Sequence, residues 1–296
     1  MFRALAIPTI VVTALLAACG TMVGEPEGAL RKETVYAVTD AAELIKFNAG
    51  QPRRILDRKP LVGLAAGDSL VGIDYRVARG VLYALSASGQ LYTLATASGR
   101  LTPIGAALPM AANVRYGFDF NPVADRIRVV AENGANLRLH PDSGALAATD
   151  ATLAYAPRDA SFGKPAQIAG AAYTYNKTND KLTTNYAIDR ALGTLVTQGS
   201  KEGAEPVVSP NAGQLFTVGV LGTGPVDNVA FDISDIGNTA LAALAQGGRT
   251  RLHLIDLASG RATLLGSVGD GRAGWGLAIE PCARLRDAVW PWAWPC

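Results

Sequence analysis

A four-part pattern recurs along this chain, and no other feature limits its fold as tightly. Gly72-Ile-Asp-Tyr-Arg is followed by Val81-Leu-Tyr-Ala-Leu, Gln90-Leu-Tyr-Thr-Leu and Ser98-Gly99-Arg100-Leu. At an offset of 45 residues (72 to 117) come Gly117-Phe-Asp-Phe-Asn, Arg126-Ile-Arg-Val-Val, Asn136-Leu-Arg-Leu and Ser143-Gly144-Ala145-Leu, and the two copies superpose without a gap. A third copy reads Val229-Ala-Phe-Asp232-Ile, Ala240-Leu-Ala-Ala-Leu, Arg251-Leu-His-Leu-Ile-Asp and Ser259-Gly260-Arg261-Ala. The parts alternate polar and apolar residues and break at Gly, Asn, Asp or Pro, which marks short strands joined by turns. Four short strands per unit, repeated every 40–50 residues, is the signature of β-propeller blades.

The ends of the chain extend the pattern. Val35-Tyr-Ala-Val, Glu43-Leu-Ile-Lys-Phe and Arg53-Arg-Ile-Leu read as strands two to four of a blade that lacks its first strand. Gly274-Trp-Gly-Leu-Ala-Ile-Glu reads as a first strand with no blade behind it. Pairing the two completes one blade, closes the ring and removes exposed sheet edges. The expected fold is therefore an all-β propeller of about five four-stranded blades: the split blade, then units near 70–107, 115–150, 166–222 and 227–270. The fourth unit is irregular and exceeds 50 residues, which leaves room for a sixth blade.

The runs Gly117-Phe-Asp-Phe-Asn-Pro-Val-Ala-Asp-Arg-Ile-Arg-Val-Val and Asn136-Leu-Arg-Leu-His-Pro-Asp-Ser-Gly144 resemble the bacterial domain-of-unknown-function family 4394. Tyr173-Thr-Tyr-Asn and Leu254-Ile-Asp-Leu-Ala-Ser-Gly260 resemble it as well, so the likeness covers about residues 33–281. The resemblance implies an exported, propeller-like protein and brings no catalytic residues with it.

Ahead of the repeats lies an address. Arg3 precedes an almost wholly apolar run from Ala4 to Leu16, and Leu16-Ala17-Ala18-Cys19 follows. This has the charged start, apolar core and small-residue cleavage site of a secretory signal. It is marginal for spanning a bilayer core, which takes about 20 residues, and Pro8 interrupts it. The Leu-Ala-Ala-Cys run resembles the lipobox of bacterial lipoproteins, which implies cleavage after Ala18 and lipid on Cys19; the alternative is an ordinary signal with a chance cysteine. Two or three acyl chains, at about 0.8 kcal/mol per buried CH₂, give stable anchoring. Gly20, rather than Asp, favours the periplasmic face of the outer membrane by the sorting rule of enteric bacteria. The organisation expected is a signal at 1–18, a lipidated tether at 19–32, the propeller at 33–281 and a Trp/Pro-rich tail at 282–296.

The formal charge of +2 gives no bulk attraction to nucleic acid. With Cys19 assigned to lipid, Cys282 and Cys296 remain as a candidate disulfide of an exported protein, closing a loop of about 15 residues worth roughly 3 kcal/mol. The alternatives are two unpaired thiols or pairing of Cys296 with another molecule.

One cationic constellation stands out. Arg126 and Arg128 share one face of a strand, Arg138 and His140 share a face of the next, and Asp119 and Asn121 share a face of the first. If the faces coincide, they form either an anion or sugar-acid site built on Arg forks or an inter-blade salt-bridge network. Asp74, Asp119 and Asp232 recur at one repeat position, where they either cap turns or ring the axis as oxygen ligands for a cation such as Ca²⁺. No other cofactor is expected. The only histidines, His140 and His253, occupy nearly matching repeat positions, which points to structural roles. Gly269-Asp-Gly-Arg-Ala-Gly274 matches a dinucleotide fingerprint in letters only, because a strand and not a helix follows it. Trp290, Trp292 and Trp294 alternate in the tail and either pack on the propeller or form an aromatic platform.

The expected role is a non-catalytic binding or scaffolding propeller, membrane-anchored in the envelope, with an envelope protein or a small anionic or carbohydrate ligand as partner. The alternative is a lyase or hydrolase acting on such a small molecule through Arg126, Arg128, Arg138 and a nearby Asp. A third reading is an assembly factor that binds a partner through its tail.

Overall fold

A computed structural model of the chain describes residues 27–282. The signal, Cys19, Cys296 and the three tail tryptophans lie outside the described residues. Among the described residues the chain forms 21 strands, numbered in chain order, and one 3-10 turn at Pro210–Ala212.

The strands make five antiparallel sheets around an axis. Blade 1 combines β1 (Thr34–Thr39), β2 (Glu43–Asn48) and β3 (Gln51–Pro60) with the last strand, β21 (Ala273–Ile279), on its inner side. Blade 2 runs β4 (Leu70–Arg76), β5 (Val81–Ser86), β6 (Leu91–Ala95), β7 (Arg100–Ile104). Blade 3 runs β8 (Tyr116–Asn121), β9 (Arg126–Ala131), β10 (Asn136–Leu139), β11 (Leu146–Thr149). Blade 4 holds β13 (Ile168–Tyr173), β14 (Asn185–Asp189), β15 (Thr194–Gln198) and β16 (Gln214–Val220), with β12 (Ala154–Tyr155) added in parallel at its outer edge. Blade 5 runs β17 (Asn228–Ile233), β18 (Ala240–Gln246), β19 (Arg249–Ile255), β20 (Ala262–Ser267). The ring closes as the sequence predicts: β21 pairs with β1 in the register Val35↔Ile279, Tyr36↔Ala278 and Ala37↔Leu277.

The sheet count is five, so the room left for a sixth blade is filled otherwise. The extra length of the fourth unit goes into the connections between β13 and β14 and between β15 and β16, the latter ending in the 3-10 turn, while the edge strand β12 comes from the segment ahead of the unit. Neither supplies a face that could be buried as a separate sheet.

Burial falls from the axis outward. Every residue of β13 and β17 is buried, whereas β7 and β11 are largely exposed. Blades stack face to face, so inner strands lose both faces to neighbours, and near-continuous apolar runs replace strict alternation there. The approach of neighbouring inner strands requires glycine. A Cβ on Gly72 would lie 2.4 Å from Phe118 Cβ, one on Gly117 would lie 2.7 Å from the Ala171 amide nitrogen, and one on Gly170 would lie 2.7 Å from Val229 Cγ1. The same repeat position is glycine in four of the five inner strands, with Ala230 in the fifth, and makes room for the next blade in one direction around the ring.

Candidate functional site

Three features converge at the axis and at the junction of blades 3 and 4. The first is the repeated aspartate. Asp74, Asp119 and Asp232 each sit near the end of an inner strand, 3%, 3% and 6% exposed, and their carboxylate oxygens lie within 4.8 Å of one another. They do not cap turns. They accept backbone amides around the ring instead: Tyr75 N and Phe120 N donate to Asp74, Tyr173 N to Asp119, and Ile233 N and Ile279 N to Asp232. These five amides occupy one position in all five inner strands. In blades 1 and 4 that position follows Ala278 and Ala172 instead of Asp, so Asp74 and Asp232 each satisfy their own following amide as well as the next blade's. A buried amide without a partner costs about 1–3 kcal/mol, so three carboxylates resolve a five-fold requirement.

Crowding these acids has an electrostatic consequence. Burial, reinforced by the charge of Asp232, holds the Asp74 carboxyl well above the usual range. Burial and the charges of Asp74 and Asp232 do the same to Asp119, which shares a side-chain hydrogen bond with Asp74. Burial lifts Asp232 to about 6 against the lowering effect of the Ile279 and Ile233 amides. All three carboxyls therefore hold a proton more tightly than free carboxyls do. Their oxygens are chemically suited to a hard cation, and five of the six each already accept one backbone amide.

The second feature is a cavity of about 760 Å³ at the end of the inner strands beyond the aspartates. All five blades line it: Arg76–Arg79 between β4 and β5, Phe120–Val123 and Asp125 between β8 and β9, residues of 175–182 between β13 and β14, Asp235 and Ile236 after β17, and Cys282 after β21. Phe120, Val77, Pro122 and Ile236 supply apolar wall, and Val123 and Leu182 are 40% and 39% exposed at its rim. Its cations Arg76, Arg79 and Lys177 are balanced by Asp125, Asp180 and Asp235. Arg76 is pinned by Asp125 and by Asp142, the latter at 2.5 Å. The Tyr175 hydroxyl is kept protonated by burial and by the negative charges of the axial aspartates. Sequence reasoning missed this cavity because its residues come from turns that differ between the repeats.

The third feature is the arginine constellation. The pairings Asp119↔Arg128 and Arg128↔Arg138 put the three predicted faces together, as the alternation implies. The carboxylate that serves the arginines is nevertheless Asp150, not Asp119, whose side chain turns to the axis. Arg128, 2% exposed, donates to Asp150 at 2.8 Å, Asn136 at 2.6 Å, Asn211 at 2.7 Å and the Tyr173 hydroxyl at 3.0 Å. Arg138 grips Asp150 with two hydrogen bonds of 2.8 and 2.9 Å. Burial opposes ionisation of Asp150, but the hydrogen bonds from Arg138 and Arg128 outweigh it and hold that carboxyl below its usual range. Arg126 donates only to the carbonyls of Ala124 and Asp125. His140 lies just past β10, in the turn closed by His140 N to Ala145 O, and does not line the cavity beside the arginines. His253 is buried in blade 5 and its ring proton affinity is lowered by burial. Asp150 was within reach of sequence reasoning, since it immediately follows β11, the strand paired with β10. Asn211 was not, because it lies 83 residues from Arg128.

Cys282 is half-buried, its amide donating to Asp235 at 3.4 Å; its expected partner Cys296 is outside the described residues. No helix among the described residues is long and apolar enough to cross a membrane.

The fold and its closure strand define a five-bladed β-propeller with an axial cavity. The chain belongs to the DUF4394 family, a domain of unknown function, which matches residues 43–278. No curated protein sequence matches it significantly. Among solved structures it is similar to a chain of the nidogen/laminin complex, at 11% identity and a TM-score of 0.47, over 84% of this chain and 99% of that one. It is also similar to the dihydro-heme d1 dehydrogenase NirN in complex with DHE, at 13% identity and a TM-score of 0.39, over 82% of this chain and 45% of that one.

Proposed function

We propose that this protein is a non-catalytic binding propeller of the cell envelope, held on a membrane through lipid on Cys19, with its ligand seated in the axial cavity. The observation that carries the reading is that one cavity of about 760 Å³ gathers loops from all five blades. Its size falls within the 300–1,000 Å³ range of small-molecule sites, and it combines apolar wall with a few polar groups. Its charges cancel, three against three, which suits a near-neutral ligand with both faces, such as a short sugar chain. Neither histidine lines the cavity, and the arginine face on which the enzyme alternative rested is tied down by Asp150 at two of its three members.

Ligand-observed NMR with a library of neutral oligosaccharides and aromatic glycosides tests this. Val123→Arg and Leu182→Arg fill the exposed rim without disturbing the core, and each is expected to abolish binding seen with the native chain. Binding that survives both substitutions would place the site elsewhere. The anchor has its own test: Cys19→Ser should accumulate unprocessed precursor lacking acyl label, whereas normal processing would remove the lipoprotein reading. The paired thiols Cys282 and Cys296 are proposed as a disulfide, to be read as a two-dalton mass loss in the non-reduced peptide that joins them.

A further inference from the structure

The arginine constellation is left unused by the axial reading, and its charges do not balance. A second cavity of about 140 Å³ lies where the 209–211 turn of blade 4 meets blade 3, lined by Arg126, Arg128, Arg138, Tyr173, Ser209 and Asn211 among others. Three guanidiniums surround it, and the ion pairs joining them to an acid all go to one carboxylate, Asp150. Asp125, the nearest acid in sequence to Arg126, is engaged by Arg76 instead. Arg126 meets only two carbonyls, through Nη1, which leaves its Nε–H and Nη2 protons undirected. Arg138 spends Nε and one Nη2 proton on Asp150, leaving Nη1. Arg128 is immobilised by four acceptors, one of which, Asn211, ties the two blades across the cavity wall. The cavity therefore carries three guanidiniums against one ion-paired carboxylate and has spare guanidinium donors; the further acid near Arg126, Asp142, is exposed and engaged by Arg76.

We propose that this inter-blade cavity is a binding site for a compact oxyanion, a phosphate, a sulfate or the carboxylate end of a sugar acid. Planar guanidinium forks match paired oxygens of such groups. At about 30 Å³ per water, the space equals four to five water molecules, enough for a tetrahedral anion or a carboxylate with a few further atoms. The site adjoins the axial cavity at Asn121, which lines both, but shares none of its arginines with it; Arg126 and Arg138 are its binding residues, with Arg128 and Asp150 holding them in place.

Isothermal calorimetry with inorganic phosphate, sulfate, glucuronate and glucose, at constant ionic strength set by chloride, tests the proposal. At least one oxyanion is expected to bind, and glucose is not. Phosphate or sulfate without glucuronate identifies a free tetrahedral anion as ligand; glucuronate binding identifies a sugar acid. Arg126→Gln is expected to weaken binding at least tenfold. Ser209→Asp, which retains a side-chain acceptor for the Asn211 amide and adds a negative charge at the rim, is expected to weaken it likewise. Arg100→Gln, on an exposed strand of blade 2, should leave it unchanged. Absence of binding by all three oxyanions, affinity retained in Arg126→Gln and Ser209→Asp, or an equal loss in Arg100→Gln would overturn the site.

Discussion

Replacing Asp119 by Asn should change how the stability of the ring depends on pH, and the structure sets the size of the change. Asp119 accepts one amide, Tyr173 N at 2.8 Å, and its hydrogen bond to Asp74 engages the same carboxyl group. Asn keeps the acceptor for Tyr173 and offers a permanent N–H donor to Asp74, in nearly the same volume. In the native chain the folded-state affinity of Asp119 for its proton is raised by burial and by Asp74 and Asp232. A group raised in this way contributes stability that is fully present below its unfolded pKa, about 3.9, and is lost as pH rises through its folded value. Between those two values the folded state binds one more proton than the unfolded state, so unfolding free energy falls by about 1.4 kcal/mol per pH unit for this group. Asp232 adds a loss of roughly 3 kcal/mol between about pH 4 and pH 7, from a folded value of about 6. Urea unfolding of both chains at pH 5, 6, 7 and 8, with EDTA present, reads the contribution of Asp119 as the difference between their pH slopes. Over the part of that range lying below the folded-state value of Asp119, the Asp119→Asn slope should be shallower, by at most about 1.4 kcal/mol per unit. Equal slopes in the two chains would refute the proton-sharing axis; His253, whose proton affinity burial lowers, adds the opposite slope equally to both.

Four further outcomes follow from the same packing. Asp150→Ala strands the buried Arg128 charge and should cost about 3–5 kcal/mol in urea unfolding, well beyond the effect of Arg126→Gln, which breaks no ion pair. Gly117→Ala sets a Cβ 2.7 Å from the Ala171 nitrogen and 2.8 Å from the Gly170 carbonyl carbon, so the chain should fail to yield soluble protein. Ending the chain at residue 272 removes β21, exposes the edge of β1 and should give aggregates by size-exclusion chromatography. Five millimolar Ca²⁺ should leave the thermal midpoint at pH 7 unchanged, because five amides already occupy the axial carboxylates; a rise absent in Asp119→Asn would show the trio to be a calcium site.

The ring was legible because each blade repeats the same local problem. Gly72, Gly117, Asp74 and Asp119 recur at fixed offsets for reasons that act strand by strand, and the split first blade follows from counting strands at the two ends. Site chemistry was legible only where it stays within a blade. The coincidence of Asp119, Arg128 and Arg138 follows from side-chain alternation, yet alternation does not say which way a side chain turns at the axis, and Asp119 turned away from the arginines. The shared use of Asp74 and Asp232 depends on Ala172 and Ala278 in other blades, so it appears only once the ring is closed. Asn211 and the cavity loops belong to irregular connections, which carry no period to read.

Crystallography of the protein soaked with a neutral glycoside library asks whether the axial cavity is the binding site. Ligand density is expected beside Phe120, Tyr175 and Leu182, and is expected to be lost in Leu182→Arg crystals. Ligands bound reproducibly elsewhere on the propeller, with the axial cavity holding only water, would contradict it.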